Sequence, residues 1–201
     1  MSQNDQIGGG RNFAALVFAN RRFISSGTLV IILPVKLLLG GTTNFSLCMI
    51  GLAIAAIGIA SRIFTAAFLY GRHIVTEIEA ETLCLSGPFS RVRNPLYIGN
   101  FIIGVGVALA FNEWYGYLAF ALEFGLMYSV IIPYEERFLR GKFGPAYENY
   151  RKATQRFIPR WKAYPDRTET LPDFGKAAWG ERIHGLILVV TFVLFCFLFI
   201  P

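Results

Sequence analysis

Five long apolar segments, separated by polar connections, dominate the pattern of the chain. They are Phe23 to Leu39, Phe45 to Tyr70, Leu96 to Phe111, Trp114 to Ile132 and Ile183 to Ile200. A membrane-crossing helix needs about 20 predominantly apolar residues. The pattern therefore predicts five transmembrane helices, of which the last is barely long enough.

The third and fourth apolar segments are separated by Asn112 and Glu113 alone. So short a link makes consecutive helices antiparallel neighbours. Small residues four positions apart, such as Gly106 and Ala110, allow close helix approach. The sequence thus predicts a helical hairpin here.

The predicted fold is all-α, a polytopic membrane protein with one membrane domain over residues 1–201. Its parts are a cytosolic N-terminal segment (1–22), a four-helix membrane core (23–132), a cytosolic segment (133–182) and a final transmembrane helix (183–201). Two polar stretches at one membrane face, the connection 71–95 and the segment 133–182, would form the functional region.

Composition supports this prediction. Apolar residues make up 54% of the 201 positions and the mean hydropathy is +0.48, too high for a soluble domain of this size. The 19 lysines and arginines outnumber the 13 acidic residues, but they cluster beside apolar segments, where they orient a membrane protein rather than bind nucleic acid. Their distribution predicts a cytoplasmic N-terminus and a cytoplasmic site, in a bacterial inner membrane. The cysteines form no CxxC pair and no cluster with histidine, so no disulfide framework and no metal site is predicted.

Charged residues inside apolar segments are expensive and mark candidate sites. Lys36 lies near the far end of its segment and is expected to extend to the interface. Arg62 is either an interfacial residue of the same kind or part of a site. Glu123 lies halfway along the fourth segment, and its only obvious intramembrane partner is Arg62. We therefore hypothesise an Arg62–Glu123 pair.

Two dense stretches flank the hairpin. The first, Arg91 to Gly99, fits a helix start in which Asn94 is the N-cap and Pro95 the first helical residue. The second runs from Glu135 to Tyr150. Pro133 is expected to end the fourth helix, so the carboxylates at the start of the second stretch could simply be favoured by the dipole of a new helix. The topology makes the two stretches near neighbours.

Within the second stretch, Gly144-Pro145 is expected to stop one helix and start another. The ordered motifs of both stretches are Leu83-Cys84-Leu85-Ser86-Gly87-Pro88-Phe89, Arg93-Asn94-Pro95-Leu96-Tyr97-Ile98-Gly99, Glu135-Glu136-x-x-Leu139, Phe143-Gly144-x-x-Tyr147-x-x-Tyr150 and Arg156-x-x-Pro159. Together they resemble the isoprenylcysteine carboxyl methyltransferase and phospholipid methyltransferase superfamily. The resemblance implies an integral membrane methyltransferase that depends on S-adenosylmethionine. Its cofactor pocket would be cytosolic, and a tunnel would admit a lipophilic or lipid substrate from the bilayer.

The resemblance also implies a set of cofactor-binding residues. They are Glu81, Thr82, Leu83, Cys84, Phe89, Arg93, Asn94, Pro95, Leu96, Tyr97, Glu135, Tyr147 and Arg156. Asn94 to Tyr97 matches the family's His-Pro-x-Tyr, and Glu135 matches the acidic residue that contacts the cofactor. Aromatic residues such as Tyr147 would frame the pocket, and Arg156 could neutralise a carboxylate. No catalytic residue is assigned, because methyl transfer needs alignment and a dry pocket rather than a nucleophile.

Two positions depart from the family. Asn94 stands where the family has His, and Ile131 stands where prenylcysteine enzymes have an Arg that holds the substrate carboxylate. The second change disfavours prenylcysteine as the substrate and leaves a lipid amine, a hydroxyl, a thiol or a differently held carboxylate open. The rival hypothesis is a non-enzymatic membrane protein, a small transporter or assembly factor, in which the same residues only start and cap helices.

Overall fold

A computed structural model describes residues 13–20, 27–39, 44–70, 82–167 and 170–199. Its longer helices are α1 (Gly27–Leu39), α2 (Phe45–Tyr70), α3 (Pro95–Phe111), α4 (Trp114–Ala153) and α5 (Phe174–Phe199), with a 3₁₀ helix at Gly87–Ser90. Residues 13–19 are also helical. The described part of the chain is all-helical, apart from one isolated β-bridge, which confirms the predicted class.

Two helices in the described ranges, α2 with 26 residues and α4 with 40, are long and apolar enough to cross a membrane. Helix α3 is also apolar but has 17 residues. The five-span count therefore has direct support from two helices and otherwise stays a prediction.

The antiparallel pair α2 and α3 forms the centre of the fold. A methyl group at Gly106 would lie 2.5 Å from the backbone nitrogen of Ala55 and 2.5 Å from the carbonyl oxygen of Gly51. Nearer the other end, a methyl group at Gly99 would lie 3.3 Å from the carbonyl oxygen of Gly58. The missing side chains let the two backbones come together, so the predicted close approach is confirmed, with α2 as the partner.

The predicted hairpin between α3 and α4 is confirmed. Asn112 ends α3 in the left-handed conformation, with φ 49°, and its N–H donates to the carbonyl of Ala108 at 3.0 Å. This turn places α3 and α4 side by side. The start of α3 and the part of α4 beside it lie at the same face as the C-terminus of α2.

Helix α4 differs from the prediction at Pro133, which does not end it. The helix continues to Ala153, and the backbone leaves helical geometry at Gly144 (φ 50°, ψ −124°), directly before Pro145. Proline removes one hydrogen bond, but the chain can continue through it. Glycine tolerates a positive φ without steric cost, so the break falls at Gly144, as predicted for Gly144-Pro145.

Lys36 has two partners in the turn between α3 and α4. Its side chain is fully buried, and its Nζ donates to the carbonyl of Phe111 at 3.0 Å and to Glu113 Oε1 at 2.7 Å. The last carbonyls of α3 and a nearby carboxylate thus provide partners for this cation, while its position relative to a membrane interface stays a prediction.

Helix α5 begins at Phe174, before the apolar run from Ile183, and is antiparallel to α2. Asp173 caps it by accepting from the N–H of Lys176 at 2.9 Å, and the N–H of Asp173 donates to the carbonyl of Ala67 at 2.9 Å. Ala177 packs against the same part of α2. This docking brings position 181 beside position 62.

Candidate functional site

Direct hydrogen bonds join the first motif stretch and the residues just before it to the second motif stretch and the residues just after it, which confirms that the two regions are near neighbours. The N–H of Arg93 donates to the carbonyl of Gln155 at 2.9 Å, and the N–H of Asn94 donates to that of Arg156 at 3.2 Å. The hydroxyl of Tyr150 donates to the carbonyl of Phe89 at 2.7 Å. These bonds close the site from one side.

Asn94 occupies the N-cap position of α3, with Pro95 as the first helical residue, as predicted. The cap is made by the main chain, since the carbonyl of Asn94 accepts from the N–H groups of Tyr97 at 3.1 Å and Ile98 at 3.3 Å. The side chain of Asn94 makes no cap bond. Its Nδ2 donates to the carbonyl of Arg156 at 3.3 Å instead, so the interaction with the second stretch replaces the predicted side-chain cap.

A cavity of about 290 Å³ lies at this junction, between α2, α3, α4 and α5. The residues predicted from the resemblance that line it are Thr82, Leu83, Cys84, Phe89, Arg93, Asn94, Pro95, Leu96, Tyr97, Glu135 and Tyr147. Glu81 lies outside the described residues. Arg156 is not among the lining residues. The fold thus gathers most of a set drawn from separate parts of the chain.

Arg156, which does not line the cavity, pairs with Glu136, a buried carboxylate that does. Its Nε and Nη2 donate to the two oxygens of Glu136 at 2.9 and 2.7 Å, and this hydrogen bonding raises the pKa of Arg156. The same carboxylate lies 3.5 Å from Nη2 of Arg93. The explanation of Glu136 by a helix dipole is wrong, because no helix begins directly after Pro133. Glu136 is a buried counter-ion of Arg156 and Arg93.

Arg93 retains one unused donor. Its Nε is buried and has no hydrogen-bond partner among the described residues, while the rest of its guanidinium faces Glu136 and the carbonyl of Arg151. A buried donor left in this state costs free energy unless a ligand completes it. Arg93 lines the cavity, so its guanidinium is a candidate partner for an anionic group there.

Aromatic side chains form one wall of the cavity. Tyr147 and Tyr150 are buried with Tyr164 in one cluster, and Phe143 packs against that cluster without lining the cavity. Burial raises the pKa of Tyr147, which lies beyond the break in α4, to about 12. Tyr147 is therefore neutral at ordinary pH and provides an uncharged surface rather than a base.

A second polar cluster lies elsewhere in the same cavity. Arg62 donates through Nε and Nη2 to Glu181 at 2.9 and 2.8 Å, and through Nη1 to Oδ1 of Asn100. The Nδ2 of Asn100 donates to the hydroxyl of Tyr128 at 2.5 Å. The hypothesis of an Arg62–Glu123 pair is wrong, since all three guanidinium nitrogens are bound elsewhere.

His184 completes this cluster, with Nδ1 at 3.0 Å from Oε2 of Glu181. Sequence reasoning missed both Glu181 and His184, because the first falls in the predicted cytosolic segment 133–182 and the second in the predicted final transmembrane helix. The available signal was their spacing, since residues three apart share one face of a helix. Both line the cavity.

A model of the phospholipid methyltransferase family matches residues 45–146, half of the chain. The chain belongs to the phospholipid methyltransferase family. The matched region contains α2, the hairpin and the first motif stretch, and the predicted resemblance is confirmed. No solved structure matches this family member significantly.

Three curated relatives show where this phospholipid methyltransferase family member is similar to known proteins. It is 33% identical to a cobalt-zinc-cadmium resistance protein of Cupriavidus metallidurans over 75% of the chain and 60% of the relative. It is 30% identical to a nickel-cobalt-cadmium resistance protein of Alcaligenes xylosoxydans xylosoxydans over 63% of the chain and 55% of the relative. A protein-S-isoprenylcysteine O-methyltransferase of Schizosaccharomyces pombe is 35% identical over 38% of the chain and 33% of the relative. The chain thus spans little more than half the length of the first two.

Proposed function

We propose that this protein is an S-adenosylmethionine-dependent methyltransferase that methylates a lipophilic or lipid acceptor. It would act from the cytoplasmic face of a bacterial inner membrane. The observation that carries the proposal is the cavity where the two motif stretches meet. It is lined by Glu135 and by Arg93, whose Nε has no hydrogen-bond partner among the described residues. Such a cavity offers a partner for both charges of an amino acid.

The residues present fit S-adenosylmethionine. Its amino-acid part carries an ammonium and a carboxylate, which suit Glu135 and the Nε of Arg93 respectively. The start of α3 at Pro95 adds the positive end of a helix dipole on the carboxylate side. Phe89 and Tyr97 offer aromatic surface for a purine. The cavity volume of about 290 Å³ is close to about 300 Å³, the lower end of the range of volumes for ligand pockets.

The protein's part in the chemistry is positioning and exclusion of water. When bound, the cofactor supplies a methyl group on a positively charged sulfur, which is transferred by in-line displacement. Helix packing around the cavity keeps the site dry and holds the acceptor in line. Arg156 would contribute by fixing Glu136, which in turn orients Arg93. Glu81 stays a predicted contact.

A thermal-unfolding experiment tests cofactor binding. The purified full chain in detergent should melt at a higher temperature with S-adenosylmethionine or its demethylated product, by about 2.7 kcal/mol of stabilisation at 100 times Kd. Glu135→Gln should reduce this gain because the ammonium loses its counter-ion. Arg137→Gln is the matched control, since Arg137 is exposed two positions along the same helix.

The same experiment separates the enzyme from a non-enzymatic membrane protein. If neither ligand raises the melting temperature of the wild type and Glu135→Gln behaves like it, the methyltransferase proposal fails. Transfer of a labelled methyl group into a total lipid extract then identifies the acceptor.

A further inference from the structure

We propose that the cluster of Arg62, Asn100, Tyr128, Glu181 and His184 is the methyl-acceptor site, and that His184 is its general base. The acceptor would be a lipophilic molecule that carries a proton on the atom to be methylated, such as a hydroxyl, a thiol or an ammonium. This inference rests on the proposed function and names the substrate class of the same cavity.

The cluster lies deeper along the helices than the motif residues. Arg62 precedes the end of α2 at Tyr70 by eight residues, or about 12 Å at 1.5 Å per residue. Tyr128 precedes Glu135 on α4 by seven residues, or about 10 Å. Tyr70 on α2 and Glu135 on α4 both line the cavity where the motif stretches meet. Arg62 and Tyr128 therefore both lie away from the motif residues, toward the apolar part of the helices. A lipophilic acceptor from the bilayer would reach this end of the cavity first.

The cluster is unsuited to a carboxylate acceptor. Arg62 is already paired through two hydrogen bonds with Glu181 and donates a third to Asn100, so its charge is compensated within the cluster. A second carboxylate would face the negative charge of Glu181. Ile131, where the resemblance places an arginine in prenylcysteine enzymes, is fully buried. A carboxylate would therefore lose solvation without gaining a cation.

His184 has the surroundings of a general base. Its Nδ1 is buried and lies 3.0 Å from the carboxylate of Glu181, but its N–H is not aligned and makes no hydrogen bond to a described residue. A small rotation of the ring would align Nδ1–H with Glu181. The carboxylate then holds the proton on Nδ1 and leaves Nε2 to accept one. Glu181 and Arg62 are positioning residues in this arrangement.

Proton removal completes the balance of the transfer. The acceptor atom forms its bond to the methyl carbon with its own electron pair, and the electrons of the broken S–CH₃ bond return to sulfur. The proton of the acceptor passes to Nε2 of His184 and later to water; an ammonium gives up this proton before the displacement, which frees its electron pair, whereas a hydroxyl or thiol gives it up as the bond forms. A carboxylate acceptor is already ionised and would need no such base.

The pH dependence should report His184. The titratable groups that line the cavity together with His184 are Arg62 and Tyr70 on α2, Glu181 on its own helix, and Cys84, Arg93, Tyr97, Tyr128, Glu135, Glu136, Tyr147 and Tyr150 on the other elements. The ordinary pKa values of these other side-chain types lie below about 5 or above about 8, and histidine is the side-chain type whose charge ordinarily changes between them. An inflection of the rate between pH 5 and 8 therefore points to His184.

The test uses the purified full chain, labelled S-adenosylmethionine and a total bacterial lipid extract. We expect His184→Gln to lower the initial rate about 100-fold or more and to remove the inflection between pH 5 and 8. The cofactor-dependent rise in melting temperature should stay. Glu181→Gln should weaken the inflection, and Arg182→Gln, an exposed neighbour, should behave like the wild type.

A second measurement needs no variant. Mild alkali releases a methyl ester as volatile labelled methanol, whereas methyl groups on ether oxygen, thioether sulfur or nitrogen stay with the product. Volatile label from the wild-type product overturns the inference. So does a His184→Gln variant that keeps its rate and pH profile while still binding cofactor. Either result leaves the proposed function standing, whereas a wild type that neither binds cofactor nor transfers label overturns both.

Discussion

The bidentate pair between Arg62 and Glu181 joins helices that are distant in sequence, and its strength can be measured. Both residues are buried, with 9% and 7% of their surface exposed, so water screens the pair little. Two parallel charge-assisted hydrogen bonds of 2.9 and 2.8 Å connect them. We propose a double-mutant cycle with Arg62→Gln, Glu181→Gln and the double variant.

The expected magnitudes follow from burial. Removing one partner of a buried ion pair costs about 3–5 kcal/mol, because the other charge stays behind without compensation. Arg62→Gln should fall at the low end, since His184 remains at 3.0 Å from Glu181. The double variant removes both charges of the pair, so neither stays buried without the other. Its loss should be smaller than the sum of the single losses, by about 3 kcal/mol, the upper end for residues in direct contact.

The assay is unfolding of the purified protein in detergent, with the same denaturant series for all variants. A parallel cycle with Arg62→Gln and Glu123→Gln is the matched control and should be close to additive, within about 0.5 kcal/mol. Additive losses at Glu181, or stronger coupling at Glu123, would refute the pairing and with it the docking of α5.

Two further changes probe the packing and the aromatic wall. Gly106→Ala should destabilise by about 1–3 kcal/mol through overpacking against α2, whereas Gly125→Ala, with nothing within 4 Å of the added methyl, should be neutral or stabilising by up to about 1 kcal/mol; equal melting temperatures would contradict the close contact. Unfolded Tyr147 ionises near pH 10, but the folded protein keeps its proton to about pH 12, so stability should fall as pH rises through this window. A fall equally steep in Tyr147→Phe would show that other groups cause it.

Local signals in the sequence were sufficient for the hairpin, for the start of α3, for the break in α4 and for much of the cavity. Asn112 and Glu113 interrupt two apolar runs, so the hairpin was predictable from hydropathy alone. Pro95 begins α3 because proline suits the first helical position, and Gly144 breaks α4 because glycine accepts a positive φ. The cavity-lining residues of the motifs could be named from the resemblance because their spacing along the chain is preserved around one hairpin.

The partners of buried charges were decided by the tertiary structure. Lys36 bonds to the end of α3 and to Glu113, partners that the sequence did not name. Glu136 lies between Arg156 and Arg93, where the sequence suggested a helix dipole. Arg62 pairs with Glu181 across 119 positions, while the intramembrane carboxylate that the sequence offered was Glu123. A charge inside a fold takes the partner that helix docking brings within hydrogen-bonding distance. Hydropathy locates the helices, but the close approach of α2 to α3 and the early start of α5 determine which charges meet.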